Sequence, residues 1–370
     1  MKRREPLTNT QLLMFIAIGI FVVMYGAAMA FLGGAFLKWK NFVDLLNDNA
    51  YLIVISVALT IVMIGGGINI SVGGVIGLTV MSCVLFLNGP MSQLGGGGVL
   101  LTFLLALGIG LAFGAGQGFL VSYLEIQPFI VTLAGMFLSR GLTTILSDEP
   151  LKITKETNAA FIAFQKTKIK LPVGHMTVDG SKWLPEELEL GALVAILMVI
   201  GMFLLLRYMK LGRNIYALGG NQQSALMLGI NVKRTRFLSY VISGLLSGLA
   251  GFIVIMHKPS AHPSSIALRS EMDAIAASII GGTLLTGGVG NVIGTFFGVM
   301  ILATIQKIIP LSGLKDSWWQ DMASGAMLGL FIMMQSVVLS VREKAKGRKT
   351  DALDISSGPG PSGQEVKTAV

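Results

Sequence analysis

Charged side chains, histidine and cysteine are all scarce in this 370-residue chain. Asp, Glu, Lys and Arg together make up 13% of the residues, about half of their share in soluble globular proteins. A chain with so little charge cannot cover a water-facing surface, which favours a lipid environment. The single cysteine, Cys83, cannot form an internal disulfide, and no cysteine spacing typical of a metal site is present.

Motifs of the common energy-converting and hydrolytic enzymes are also missing. No Gly-Lys dipeptide occurs, which excludes a Walker A phosphate loop. Neither His-Glu-x-x-His nor Gly-x-Ser-x-Gly occurs, and the predicted membrane interior has no carboxylate pair of the kind that proton-coupled carriers use. We therefore expect no catalytic residues, no metal and no cofactor in this chain. The net charge of +9 is concentrated beside apolar runs, so it predicts membrane orientation and not a nucleic-acid partner.

Long apolar runs are what the sequence does contain, and its mean hydropathy is +0.74. About 20 apolar residues in a helix cross a bilayer. The sequence therefore predicts an all-α integral membrane protein of about ten transmembrane helices with broken or re-entrant segments. The predicted spans are 12–33, 50–64, 72–88, 99–122, 129–146, 189–206, 237–256, 272–286, 291–309 and 318–341.

The positions of Lys and Arg orient these spans, because cytoplasmic loops of membrane proteins are enriched in both. Basic residues precede the first span and follow the last one, which places both termini in the cytoplasm of a bacterium, with the bundle in its inner membrane. The predicted regions are a cytoplasmic N-terminus (1–11), a lipid-embedded permease domain (12–341) and a disordered cytoplasmic tail (342–370). Within the domain, loop 147–188 is predicted to be periplasmic and basic segment 207–236 cytoplasmic.

Glycine clusters interrupt two pairs of apolar helices. The clusters are Gly65–Gly67, Gly73-Gly74, Gly281-Gly282, and Gly287, Gly288 and Gly290, and a short alignment that sets Gly66 against Gly281 relates the stretches around them. Such clusters allow close helix packing, or they form half-helices whose backbone lines a water-filled path. Polar residues beside them favour the second interpretation. The candidate residues of a translocation path are Asn69, Ser71, Phe129, Arg140, Thr283 and Thr286. Glu271 and Asp273 lie at the start of the predicted span 272–286, where the helix dipole favours acidic groups, which predicts a capping role for them.

The basic segment contains a short predicted helix with its own caps. Asn221 is a good N-cap residue, and Gly229 is suited to end a helix. Apolar side chains between them, Ala225, Leu226 and Leu228, could insert into a groove on another protein. The alternative is an amphipathic loop helix that lies on the lipid surface.

Four motifs in matching order carry a family resemblance over about residues 45 to 335. GRNIYALGGNQQSALMLGINV resembles the cytoplasmic coupling segment of monosaccharide ABC-importer permeases, the family of ribose, xylose and galactoside permeases. GGGINISVGGVIGL, QPFIVTLAGMFLSRGL and EMDAIAASIIGGTLLTGGVGNVIGTFFGV resemble the other family motifs. TLAGMFLSRG, GGTLLTGGVG and DSWWQ are most similar to galactofuranose permeases. The chain departs from the family at Asn69, where the usual residue is Asp.

This resemblance implies a type II-like ABC importer permease fold and a division of labour. A separate ABC ATPase subunit would hold ATP and magnesium, a second permease subunit would complete the path, and a periplasmic sugar-binding protein would deliver the sugar. The residues that the resemblance places in contact with the ATPase are Asn221, Gln222, Gln223, Ser224, Ala225, Leu226, Met227, Leu228, Gly229 and Ile230. A nucleoside or branched-chain amino acid importer, or a secondary carrier or channel, stays open as an alternative.

Overall fold

The computed structural model describes residues 9–32, 39–89, 94–176, 183–263, 265–314 and 316–356. Its first helices are α1 (Asn9–Leu32), α2 (Trp39–Asp48), α3 (Ala50–Ile64), α4 (Val72–Asn88), α5 (Gly96–Ser122) and α6 (Pro128–Leu146). There follow β1 (Leu151–Lys152), α7 (Ala159–Gln165), β2 (Lys168–Met176), β3 (Trp183–Glu189), α8 (Leu190–Tyr208), α9 (Lys210–Gly220) and α10 (Gln222–Met227). The last elements are α11 (Val232–His257), β4 (Ser260–Ala261), α12 (Ser270–Ile280), α13 (Val292–Leu311) and α14 (Ser317–Ser356).

The predicted all-α membrane class is confirmed, whereas the count of about ten spans is not. Within the described ranges, six helices are long and apolar enough to cross a bilayer, or seven if the bent pair of α2 and α3 is one span. The prediction of a helix over 272–286 was wrong, because α12 ends at Ile280. A glycine pair follows Ile280, and Gly282 takes a φ of +92°, which a continuing helix does not allow.

The helices α3 and α11 form the centre of the bundle. Every residue of α3 except Tyr51 is buried, so this helix has neighbours on all sides. α5 packs against α11 through glycines on both helices. Gly110 and Gly114 face Gly244 and Gly248 so closely that a Cβ on any of them would overlap the opposite backbone. This contact brings the backbones of α5 and α11 together over several turns.

The predicted periplasmic loop is folded. β2 and β3 form an antiparallel hairpin, and β1 pairs with β4. The Asn47 side chain of α2 joins the hairpin by donating to the Glu187 carbonyl (3.0 Å) and accepting from the Glu189 N–H (3.0 Å). We call this part of the bundle the hairpin end, and the opposite part, which carries α10, the α10 end.

A charged contact joins the hairpin end to the last turn of α11. His257 Nδ1 lies 2.7 Å from Glu189 Oε2, and its Nε2 lies 3.5 Å from Asp48. Burial raises the pKa of the Glu189 carboxyl, but the hydrogen bond and the positive charge of His257 outweigh burial and hold that pKa below the usual 4.5. A carboxyl of this kind stabilises the fold above its unfolded pKa and loses that contribution as the pH falls.

We expect acid to weaken this contact. Between about pH 5 and pH 3 the free energy of unfolding of the wild type should fall by about 1 kcal/mol, and that of Glu189→Gln should not fall by this amount. This loss corresponds to one charge-assisted hydrogen bond at a partly exposed site. The measurement is the unfolding temperature of detergent-solubilised protein against pH. Glu187→Gln is the control, because the Glu187 pair with Lys168 (3.2 Å) is exposed to water. Parallel curves for the wild type and Glu189→Gln would refute the expectation.

The C-terminal helix is longer than the sequence pattern indicates. α14 continues to Ser356, whereas the predicted span ends at 341 and the predicted disordered tail begins at 342. Arg, Glu, Lys and Ala dominate the start of this tail, and all four are good helix formers. The first part of the tail is therefore helical, and residues 357–370 lie outside the described part of the chain. The basic residues before α1 lie outside it too.

Candidate docking helix and buried polar network

The short helix α10 has the caps that the sequence predicts. The Asn221 side chain accepts a hydrogen bond from the Ser224 N–H at 2.9 Å. Gly229 follows the helix with a φ of +74°. The Gly229 N–H donates to the Leu226 carbonyl (2.9 Å) and the Ile230 N–H to the Ala225 carbonyl (3.1 Å), which is the Schellman ending that favours glycine.

Burial divides the predicted coupling residues into two groups. Ala225 is 2% exposed and faces the rest of the chain, so it does not belong to the exposed surface of α10. Leu226, Met227 and Leu228 are 53%, 89% and 77% exposed. Asn221, Gln222, Gln223, Ser224 and Gly229 are exposed too, and Ile230 is half-buried. We call Leu226, Met227 and Leu228 the apolar tip of α10, and an exposed apolar cluster of this kind is typical of a protein contact.

The sequence analysis missed helix α9, which precedes α10. Ile215 and Leu218 are buried, and the opposite face carries Lys210 and Arg213. The spacing of these apolar residues on one helical face was the available signal. Asn221 alone separates α9 from α10, so the two helices form one bent unit.

The two glycine clusters end their helices in the same way. After α3, the Gly67 N–H donates to the Val62 carbonyl at 3.0 Å, and Gly66 has a φ of +77°. After α12, the Thr283 N–H donates to the Ser278 carbonyl at 3.0 Å, and Gly282 has a positive φ. Both are Schellman endings, and we call 65–67 the first break and 281–283 the second break. Gly66 corresponds to Gly282, so the register of the sequence alignment was off by one residue.

Gly73 and Gly74 do not interrupt a helix, because both lie inside α4. A Cβ on Gly73 would overlap the Glu271 carboxylate, and one on Gly74 would overlap the Ser139 hydroxyl. Close packing is therefore their role. They allow α12 and α6 to approach α4.

A polar network lies directly after the first break. Asn69 Nδ2 donates to Ser243 Oγ at 3.0 Å, and Asn69 Oδ1 accepts from Ser71 Oγ at 2.7 Å and from the Ser71 N–H at 3.1 Å. Gln117 Nε2 donates to Ser71 Oγ at 2.8 Å. All four side chains, Asn69, Ser71, Gln117 and Ser243, are at most 5% exposed. We call these four residues the polar network, and the sequence analysis had singled out only the first two.

The other predicted path residues do not join this network. Thr283 is buried, and its hydroxyl has no hydrogen-bond partner among the described residues. Thr286 and Phe129 are exposed, and Arg140 forms an ion pair. The six predicted residues therefore do not form one site. Separation along the sequence did not show this, because the six positions belong to three distant segments: the α3–α4 connection, α6 and the α12–α13 connection.

One cavity of the bundle has an apolar lining that does not suit a sugar. It has a volume of about 870 Å³ and lies between α5, α8 and α11. Its lining, which includes Phe103, Met198 and Leu249, is apolar. A sugar has many hydroxyls, and each one buried without a partner costs free energy.

Arg140 of α6 pairs with Glu271 of α12. Its Nη2 lies 3.3 Å from each carboxylate oxygen of Glu271. The Glu271 side chain is 9% exposed and that of Arg140 is 27% exposed. The sequence predicted a capping role for Glu271 at the start of its helix, but the structure adds this partner from a distant helix. The pair holds α6, which has a largely exposed apolar face, against α12.

Removing one partner of this pair should destabilise the bundle. Glu271→Gln leaves a partly buried guanidinium without its counter-charge, which we expect to cost about 2 kcal/mol after allowance for the exposure of Arg140. Arg140→Gln/Glu271→Gln should cost less than the sum of the two single changes. The measurement is unfolding of the purified protein in detergent. The pair Lys233–Glu125, 2.9 Å apart and exposed, is the matched control, and equal losses for both pairs would contradict this account.

The architecture and these sites define a class of protein. A bundle of membrane-spanning helices with two paired helix breaks, a buried polar network and an exposed apolar docking helix is typical of a membrane transport subunit. A family model described as "Branched-chain amino acid transport system / permease component" matches residues 41–333, and the chain belongs to this family of permeases.

Named relatives match over almost their whole lengths. The inner membrane ABC transporter permease protein YjfF of Escherichia coli is 37% identical over 96% of this chain and 99% of that protein. The fructose import permease protein FruG of Bifidobacterium longum is 31% identical, over 88% and 91% of the two chains. The ribose import permease protein RbsC of Bacillus subtilis is 31% identical, over 86% and 90%. No solved structure matches this chain.

Proposed function

We propose that this chain is the membrane-spanning subunit of an ABC importer for a monosaccharide, and that it carries no ATPase activity of its own. The apolar tip of α10 carries the proposal, because three exposed apolar side chains at the basic end of the bundle require a partner. Relatives named as fructose, xylose and ribose permeases support a sugar as the substrate. Galactofuranose is the sugar we expect, from the resemblance of three sequence motifs.

The proposed assembly has four kinds of component. An ABC ATPase subunit holds ATP and magnesium and binds α10, and a second permease subunit, identical or homologous, completes the path. A sugar-binding protein delivers the substrate at the hairpin end. In this proposal the α10 end and both termini lie in the cytoplasm and the bundle lies in the inner membrane of a bacterium; the basic residues of 207–236 support this orientation.

ATP hydrolysis in the partner reorients the bundle in this proposal. The energy reaches the sugar path as a coupling between two distant sites and not through bond chemistry in this chain. The polar network is the candidate element of the path, because its hydroxyl and amide groups match the hydrogen bonds that a sugar makes. Asn69 contributes an uncharged amide there, where the resembling family has a carboxylate.

Co-purification and reconstitution test this function. The chain is expressed with the ATPase and binding-protein genes beside it, purified in detergent and placed in proteoliposomes. Uptake of labelled ribose, xylose, fructose, galactose, leucine and uridine is measured with and without ATP. ATP-dependent uptake of a sugar supports the proposal. Uptake of leucine or uridine alone, or sugar uptake by this chain without the ATPase, would overturn it.

A further inference from the structure

We infer that α9 connects the docking helix α10 to both helix breaks and moves the two breaks together. This inference rests on the proposed function and names the residues through which a displacement of α10 reaches the two helix breaks. The first step is the junction of the two helices. The Asn221 N–H donates to the Ala217 carbonyl of α9 at 3.2 Å, while the Asn221 side chain caps α10. One residue therefore ends α9 and begins α10, and a displacement of α10 passes to α9.

The second step is the contact of α9 with the first break. Gly219 lies against the last carbonyl of α3, so that a Cβ at Gly219 would overlap Ile64 O. The same Cβ would lie 2.5 Å from the Gly288 nitrogen, which belongs to the loop after the second break. Gly219 is therefore in backbone contact with the chain at both breaks.

The third step is a direct bond between the two break regions. The Gly288 N–H donates to the Ile64 carbonyl at 2.8 Å. A Cβ at Gly287 would lie 2.9 Å from the Gly66 Cα and 3.0 Å from the Gly219 oxygen. Backbones in such contact have no side-chain rotamers between them that could absorb a displacement. The region therefore moves as one piece.

Tyr216 provides a hydrogen bond from α9 to the second break region. Its hydroxyl donates to the Gly290 carbonyl at 2.7 Å. Gly290 directly precedes Asn291, whose side chain caps α13. On the other side, Asn69 of the polar network lies three residues beyond Gly66. A movement of α9 thus reaches both α13 and the polar network.

Two tyrosines make a matched test of this route. Tyr240 of α11 donates to the Ile68 carbonyl beside the first break at 3.0 Å, but it does not belong to α9. Tyr216→Phe and Tyr240→Phe each remove one hydroxyl bond to a backbone carbonyl and keep the ring. The readout is the number of sugar molecules imported per ATP hydrolysed, with whichever of ribose, xylose, fructose or galactose the wild type imports. We expect Tyr216→Phe to lower this ratio about fivefold, the equivalent of one hydrogen bond of about 1 kcal/mol.

The expected pattern excludes a merely structural role. Tyr216→Phe should still co-purify with the ATPase, because α10 is intact, and Tyr240→Phe should keep the wild-type ratio even if it unfolds at a lower temperature. A ratio for Tyr216→Phe at or above that for Tyr240→Phe would overturn the inference. If the wild type imports none of the four sugars, the proposed function fails, which is a separate result.

Neighbouring glycines give a second, independent pair of variants. Gly219→Ala inserts a methyl group between the two break regions, whereas Gly220→Ala points into open space with no atom within 4 Å. Gly219→Ala should lower sugar import about tenfold without loss of ATPase attachment, and Gly220→Ala should change neither. Equal import by both variants contradicts the route through α9. Loss of ATPase attachment in Gly219→Ala alone would contradict it too, because the defect would then lie in α10.

Discussion

Replacing Met227 and Leu228 with Asp is expected to abolish attachment of the ATPase while the bundle stays folded. Both side chains are more than three-quarters exposed, so the folded chain loses little. In a complex the two charges would have to enter an apolar groove. Central interface residues commonly contribute 2 kcal/mol or more, so a loss of about 3 kcal/mol, or about a hundredfold in affinity, is expected.

Pull-down of the ATPase and ATP-dependent sugar uptake measure this effect. Tyr208→Asp is the control, because Tyr208 is a largely exposed aromatic side chain (64%) near the α10 end but outside α10. Ala225→Asp provides the contrast, since Ala225 is buried and a charge there should unfold α10 or the bundle. Undiminished attachment of the Met227→Asp/Leu228→Asp variant would show that α10 is not the docking helix.

Replacing Asn69 with Leu is expected to destabilise the bundle by about 2–3 kcal/mol and to lower uptake at least about tenfold. Leu has the same branched arrangement of non-hydrogen atoms as Asn, but it removes the amide donor and acceptor from a site that is 2% exposed. The Ser243 hydroxyl and the Ser71 N–H then lose their bonds to residue 69, and the Ser71 hydroxyl keeps only its contact with Gln117. Each buried polar group left without a hydrogen bond costs about 1–3 kcal/mol.

Asn69→Asp should be tolerated better than Asn69→Leu. Its carboxylate would accept from the Ser71 N–H, the Ser71 hydroxyl and a rotated Ser243 hydroxyl, which are the groups around Asn69. Unfolding in detergent and sugar uptake are measured for both variants. Thr79→Val is the control for loss of a buried hydroxyl, because Thr79 bonds only its own helix, at the Val75 carbonyl (2.8 Å). Equal stability of Asn69→Leu and the wild type would refute a structural role of the network.

Local features of the sequence were the most reliable predictors. The caps of α10 and the two helix breaks follow from backbone rules that act over a few residues. Asn accepts from an N–H three residues on, and Gly takes a positive φ. The same local rules did not predict the end of α14, because the residues after 341 also favour a helix. The alignment of the two breaks missed their register by one residue, because two adjacent glycines do not show which of them takes the positive φ.

These local rules could not predict contacts between segments that are distant in the sequence. The burial of Ala225 was not predicted, because a helical face shows which residues share a side, but not which side meets the rest of the chain. Glu271 was expected to act at its own helix end, whereas its partner Arg140 lies on α6. Gln117 is a lone polar residue in its turn of the apolar helix α5 and gives no periodic signal. Ser243 belongs to a row of hydroxyl residues spaced four apart on α11 (Thr235, Ser239, Ser243 and Ser247), and this signal was not used.

The sequence by itself determined the membrane environment, the approximate spans, the family and the caps of α10, because hydropathy, charge and capping depend on neighbours along the chain. Only the tertiary structure decided which side chains form the polar network, which face of α10 is free, and how Gly219 comes between two breaks that are more than two hundred residues apart. These depend on how closely helices from distant parts of the chain approach one another, and that distance is set by packing in the assembled bundle.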